Sequence, residues 1–165
     1  MRREHRTPLV VFTPKSMLRA TQVRSRIEEF ETGSFQTVLD DPTTPRSATR
    51  VILATGKIAH EAFAHRDEIG ADHVAIVRLE QIYPWPQEDL SAILAQYSAM
   101  QEVVWLQEEP ENMGAWPFVH HQLHRNLRDG VRVSHVARAE SASPATGSSL
   151  VHTAEQADLL KRSIG

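Results

Sequence analysis

Short, continuous apolar runs separated by segments of helical spacing constrain this chain more than any other feature. Five runs have the length of a strand: Leu9 to Phe12, Val51 to Ala54, Val74 to Leu79, Val103 to Leu106, and Val131 to Val136. The first four do not alternate apolar with polar residues, which is the pattern of strands covered on both faces. Between the runs, Leu90, Ile93, Leu94 and Tyr97 recur at i, i+3, i+4 and i+7, one face of a helix. Shorter helical stripes pass through Ile58, Ala62 and Phe63, and through Ala157, Leu160 and Ile164. Thr13 before Pro14 reads as an N-cap with proline at the first helical position, and Thr153 with Gln156 has capping-box spacing. Strands alternating with helices over short connections predict a three-layer α/β domain, a mainly parallel sheet of about five strands with helices on both faces.

The chain of 165 residues is the size of one domain and is read as one, 1–165. Two polar stretches interrupt it, Asp40 to Ser47 (DDPTTPRS) and Ser141 to Ser149 (SASPATGSS). The first is expected to be the least ordered interior segment and the second a flexible connection. No internal repeat occurs. The absence of cysteine removes disulfides, thiolate nucleophiles and thiolate metal sites. The apolar runs are too short to span a bilayer, and MRREHRTP lacks the apolar centre of a signal peptide, so a soluble, cytoplasmic domain is expected. The net charge of −3 argues against nucleic acid as the main partner. That charge is uneven: residues 1–50 hold nine Lys/Arg against six Asp/Glu, and the remainder nine against fifteen.

Four segments invite a chemical reading. In TPKSMLR, Lys15 and Arg19 share a helix face at a helix start, where they could hold a phosphate or carboxylate or simply be solvated. Thr55-Gly56-Lys57 is not a P-loop: Val51 stands where the first glycine belongs and Ile58 where the Ser/Thr belongs, so a tight strand-to-helix turn suffices. His120 and His124 lie one helical turn apart, but no third ligand is fixed by spacing. Glu108 and Glu109 end an apolar run. Adjacent residues on an extended segment point to opposite faces, so the pair is not expected to act together on one substrate. One of them could accept N–H bonds from a helix starting near Asn112 and the other could face a partner.

Four blocks in order carry a more specific signal: PLVVFTPKSMLR, HVAIVRLEQIYPWP, VVWLQEEPENMGAWPF and ARAESASPATGSSLVHTAEQADLL. Together they resemble the C-terminal domain of the decarboxylating component of 2-oxoglutarate dehydrogenase, in the transketolase-like group. The resemblance covers nearly the whole chain and is weakest from Glu31 to Thr49. It implies a Rossmann-like, transketolase C-terminal-domain-like fold. In a full-length chain it implies an oxidoreductase that decarboxylates 2-oxoglutarate with thiamine diphosphate and Mg2+ and passes the succinyl group to the lipoyl arm of a succinyltransferase component. It further implies a homodimer formed through other domains, and a nucleotide or acetyl-CoA effector.

The family's GDG cofactor motif and its downstream asparagine are absent here, so the 165 residues alone are expected to be inactive. They would be either part of a longer chain or a separately encoded tail. Arg6, Lys15 and Arg19 are the candidate effector contacts. Glu108, Glu109, Asn112, Gly114, Trp116, Arg138 and Ser141 are the family-motif or interface positions. No catalytic residue and no metal ligand is expected. The sequence departs from the family at Met113, where NQGAW is usual, at Thr55, where SGK is common, and at Ala139, where proline is frequent. Two other readings fit the same residues: a stand-alone assembly or regulatory module, and the same domain of another 2-oxo acid dehydrogenase.

Overall fold

The computed structural model describes residue 8 and residues 10–165; Arg6 and Leu9 lie outside the described residues. Two compact units divide the chain, a short one ending at Gly33 and a larger one, Ser34–Gly165. The short unit contains two 3-10 turns, Lys15–Arg19 and Thr21–Val23, and one helix, α1 (Ile27–Thr32). The described part of the apolar run expected as the first strand, Val10 to Phe12, does not form one. Val10, Val11 and Phe12 have no ladder partner and are 72%, 72% and 93% exposed. The expected N-cap at Thr13 is also displaced: Pro14 precedes the first turn and no side chain caps it.

The larger unit is a single sheet with helices on both faces. Its strands are β1 (Val38–Leu39), β2 (Arg50–Ala54), β3 (Val74–Leu79), β4 (Glu102–Pro110) and β5 (Arg132–Arg138), in the order β1-β3-β2-β4-β5. The pairs β2/β3, β2/β4 and β4/β5 are parallel, and only the two-residue β1 runs antiparallel, on β3. Four of the five apolar runs thus become the parallel strands. The fifth strand is β1, which two residues cannot announce by periodicity.

Alternation along each strand splits the core in two. Val51, Leu53, Val77, Val103 and Trp105 face α3 (Gln87–Leu94) and α4 (Trp116–Asn126), meeting Leu90, Leu94, Val119 and Leu123. Ile52, Ala54, Ile76, Val104 and Leu106 face α2 (Lys57–Ile69) and α5 (Ser149–Ile164), meeting Ile58, Ala62, Leu159 and Ile164. Burying each Leu, Ile or Val side chain stabilises the fold by roughly 1.5–3 kcal/mol relative to exposure. The α5 stripe differs from the expected one, because Ala157 faces solvent while Gln156, Leu159 and Ser163 are buried. Its N-cap is Ser148, whose Oγ accepts from Val151 N; Thr153 sits inside the helix and donates to Ser149 O at 2.9 Å.

The segment expected to be loosest is bonded into the core. Asp41, 2% exposed, accepts N–H bonds from Thr43 (2.9 Å), Thr44 (3.1 Å) and Ile76 (2.9 Å), and it pairs with the buried Arg66 guanidinium. β1 is too short to reach Ile76, so the aspartate supplies the acceptor that a longer strand would have supplied. Burial pushes the Asp41 carboxyl up. The bonds from Ile76, Thr43 and Thr44 and the Arg66 charge outweigh burial and hold it below the usual carboxylate range.

Candidate functional site

The strand order reverses at β2. From β2 the chain passes over one face to β3, then returns over the other face to β4, so the turns after β2 and β4 leave toward opposite faces. A crevice at the carboxyl ends of such strands is where open α/β sheets gather ligands. The turn after β2 requires glycine: Gly56 has φ +68° and ψ −143°, a conformation open to glycine almost alone. It delivers Lys57 as the first residue of α2, at the mouth of the crevice.

Lys57 Nζ lies 2.7 Å from Glu61 one turn along and 3.6 Å from Glu108 at the end of β4. Burial alone would lower the Lys57 ammonium, but the Glu61 and Glu108 carboxylates raise it above its ordinary value. Gln156 of α5 joins the group. Its Nε2 donates to Glu61 (2.6 Å) and to Glu108 (3.3 Å), while its Oε1 accepts from Arg138 Nη2 at 3.1 Å. Arg138, at the end of β5, also lies 2.9 Å from His152 Nδ1 and 3.4 Å from Glu155. Arginine can only donate, so that imidazole nitrogen accepts. Side chains from β4, β5, α2 and α5 thereby form one polar network of alternating charge across the carboxyl edge.

The second half of the site is the turn from β4 into α4, and a residue that sequence reasoning passed over organises it. Gln107 is 2% exposed. Its Oε1 accepts from Trp105 Nε1 (2.8 Å) and from the backbone N–H of Trp116 (3.1 Å). Its Nε2 donates to Pro110 O (3.1 Å) and Met113 O (2.8 Å). The N–H at the start of α4 is therefore met by Gln107 and not by Glu108 or Glu109, and the helix begins at Trp116 rather than near Asn112. Gly114, at φ +70°, sits against the same amide. Asn112 closes the turn from outside, pairing both ways with the Ser141 backbone (3.0 and 3.1 Å) and tethering the loop after β5.

Of the residues singled out in the sequence, Glu108 and Arg138 enter the network, Asn112 meets Ser141, and Gly114 and Trp116 meet Gln107. Glu109 is exposed and has no polar side-chain partner among the described residues. Lys15 and Arg19 are exposed in the short unit. Trp116 stacks on His135 (4.3 Å between centroids) and packs against His120, which meets His124 edge-on. Burial and the neighbouring histidines lower the His120 imidazole. Among the described residues no group of three His, Asp or Glu side chains is placed to hold a metal ion. Nor does a nucleophile stand beside a base in the network, where cations from different elements neutralise the carboxylates. Such a group ties together the ends of four elements. No helix among the described residues is long and apolar enough to cross a membrane.

Residues 24–164 match the family described as 2-oxoglutarate dehydrogenase C-terminal, and this span holds the entire sheet and every residue of the network. The chain is 40% identical over 165 residues to the 2-oxoglutarate dehydrogenase E1 component of a Geobacillus species, covering 98% of this chain and 17% of that protein. It is 39% identical over 163 residues to the E1 component of Cupriavidus necator, with the same coverage. The multifunctional 2-oxoglutarate metabolism enzyme of Mycolicibacterium vanbaalenii is 38% identical over 165 residues, covering 96% of this chain and 13% of that protein. The chain thus spans about one sixth of the curated relatives it matches. With the family match covering residues 24–164 and about 40% identity over nearly the whole chain, the chain belongs to the 2-oxoglutarate dehydrogenase C-terminal family.

Proposed function

We propose that this chain acts as the C-terminal domain of a 2-oxoglutarate dehydrogenase E1 component. The complete enzyme decarboxylates 2-oxoglutarate with thiamine diphosphate and Mg2+ and passes the succinyl group to the lipoyl carrier of a succinyltransferase component. The observation that carries this reading is the identity to E1 components along 98% of the chain. The chemistry of the carboxyl edge supports a structural share in that activity. Lys57, Glu61, Glu108, Gln156 and Arg138 hold the ends of β2, β4 and β5 in fixed relation, and the Gln107 amide sets the turn that carries Glu109 outward. Glu109 and the tethered Ser141 loop then form a surface for the other domains of the enzyme, including its dimer contacts.

Among the described residues, the sheet-edge carboxylates do not fit a thiamine diphosphate–magnesium site, because they are committed to Lys57, Arg138 and Gln156. Both cofactors belong, in this reading, to other parts of the longer enzyme. Lys15 and Arg19, with Arg6, are the proposed contacts for a nucleotide or acetyl-CoA effector; changing Lys15 and Arg19 to alanine in the full-length enzyme should abolish activation.

Titration calorimetry of the 165-residue chain with thiamine diphosphate and Mg2+ tests the division of roles. No binding heat is expected. Tight, saturable binding would place the cofactor site in this chain and overturn the proposal.

A further inference from the structure

The amino edge of the sheet, opposite the edge that carries Lys57 and Glu108, contains a hollow of about 380 Å³ lined by Thr49, Arg50, His73, Gln101, Glu102 and Arg132. Glu102, with a side chain only 10% exposed, organises it. Its Oε2 takes both Arg50 Nε at 3.0 Å and Arg132 Nη2 at 2.9 Å, and its Oε1 takes the Ser134 hydroxyl at 2.7 Å. Two guanidiniums thus converge on a single carboxylate oxygen. Arg50 is fixed further by Ser163 O at 3.1 Å. One negative charge between two positive ones leaves the hollow with a net positive charge even when His73 is neutral.

Free donors outnumber free acceptors there. The carboxylate already takes three donors, and the edge carbonyls also accept: His73 O from the N–H groups of Thr49 and Arg50, Thr49 O from those of Gln101 and Glu102, and Gln101 O from that of Arg132. The Thr49 hydroxyl, the His73 ring, the Gln101 amide and the outward nitrogens of Arg132 have no hydrogen-bond partner among the described residues. A net positive hollow with unused N–H and O–H groups suits an oxyanion, and guanidinium groups are well matched to phosphate oxygens.

We propose that this hollow binds the phosphate group of a small molecule, with Arg132 and Arg50 as its cationic ligands and Thr49, His73 and Gln101 as neutral donors. The site is independent of the proposed function, because it lies on the other edge of the sheet and uses none of the same residues.

The test is an amide NMR titration of the 165-residue chain with inorganic phosphate, at an ionic strength held constant with sodium chloride. Saturable shifts are expected at Thr49, His73, Gln101 and Arg132. Arg132 is exposed, so Arg132→Gln should leave the spectrum dispersed while weakening binding about ten-fold or more, the loss of one charge-assisted contact. Arg125→Gln, on the outer face of α4, should leave it unchanged. Gln101→Ala provides a second reading, with an expected weakening of a few-fold. Absence of saturable shifts would overturn the proposal, as would an unchanged midpoint in Arg132→Gln, or in Gln101→Ala if the first variant does not fold. Succinate binding as tightly as phosphate would overturn the assignment to phosphate.

Discussion

Replacing Gly114 with alanine tests whether the Gln107 amide holds the turn between β4 and α4. Two costs arise at that position, from different sources. The first is local: at φ +70° an L-side chain is strained by roughly 1–2 kcal/mol. The second comes from packing. A Cβ there would stand 3.0 Å from Gln107 Oε1 and 3.1 Å from both its Cδ and Nε2. Gln107 cannot yield freely, because it is buried and bonded at both ends, to Trp105 and Trp116 on one side and to Pro110 and Met113 on the other. Displacing it and breaking two of those bonds adds about 1–2 kcal/mol at ~1 kcal/mol each. The combined loss is about 3 kcal/mol, which lowers a urea midpoint by about 1–3 M at the slopes usual for small proteins. Gly70→Ala isolates the local cost, since Gly70 has φ +67° and open space around its missing Cβ. Gly114→Ala should therefore cost about 1–2 kcal/mol more than Gly70→Ala. Combining it with Gln107→Ala should give a coupling energy above ~1 kcal/mol, because the clash disappears with the amide. Equal losses at the two glycines, or additivity within ~0.5 kcal/mol, would refute the role given to Gln107.

Two further predictions concern buried polar groups. Asp41→Asn leaves the buried Arg66 guanidinium with only the exposed Asp67 carboxylate, 2.8 Å away, as counter-charge and should cost about 3 kcal/mol at neutral pH. The folded-state Asp41 carboxyl is held below its unfolded value, so its contribution is complete above pH ~4 and is lost as pH falls through the folded value. Urea midpoints of the two proteins should converge in acid, and a gap that stays constant to the lowest pH would contradict the reasoning. Tyr97 is fully buried, and burial followed by the 2.7 Å bond to Asp40 and the Asp40 charge push its phenol well above its ordinary value. The unfolded chain then loses that proton first, so stability should fall above pH ~10. The ultraviolet titration of the wild type minus that of Tyr97→Phe should show no phenolate rise in the normal tyrosine range while the protein stays folded.

The layout of the sheet was legible because strands covered on both faces carry unbroken apolar runs, and β2, β3 and β4 are such strands. The same signal misled at Leu9 to Phe12: an apolar run registers a need for cover, not the identity of the cover, and Val10 to Phe12 are exposed here. β1 escaped notice because two residues have no period, and its work is shared with Asp41, whose place in a Pro- and Asp-rich stretch suggested a loose loop. At the site, Glu108, Arg138, Asn112, Ser141, Gly114 and Trp116 could be picked out as motif positions, but their partners could not. Gln156 meets Glu108 across 48 positions of sequence, and only folding brings them together. Lys57 and Glu61 did carry a readable sign, the i, i+4 spacing of an ion pair. Gln107 carried a subtler one. It is an amide two residues beyond a buried tryptophan on the same strand face, where the indole N–H needs an acceptor.

The most direct measurement is a graft. The segment of the Geobacillus E1 component that this chain matches is replaced by the 165 residues, and 2-oxoglutarate decarboxylation is assayed with thiamine diphosphate and Mg2+. Activity within about ten-fold of the parent, a barrier difference of no more than ~1.4 kcal/mol, is the expected result. A graft that folds and assembles as the parent does, yet fails to decarboxylate 2-oxoglutarate, would contradict the assignment of this chain as a working C-terminal domain of that enzyme.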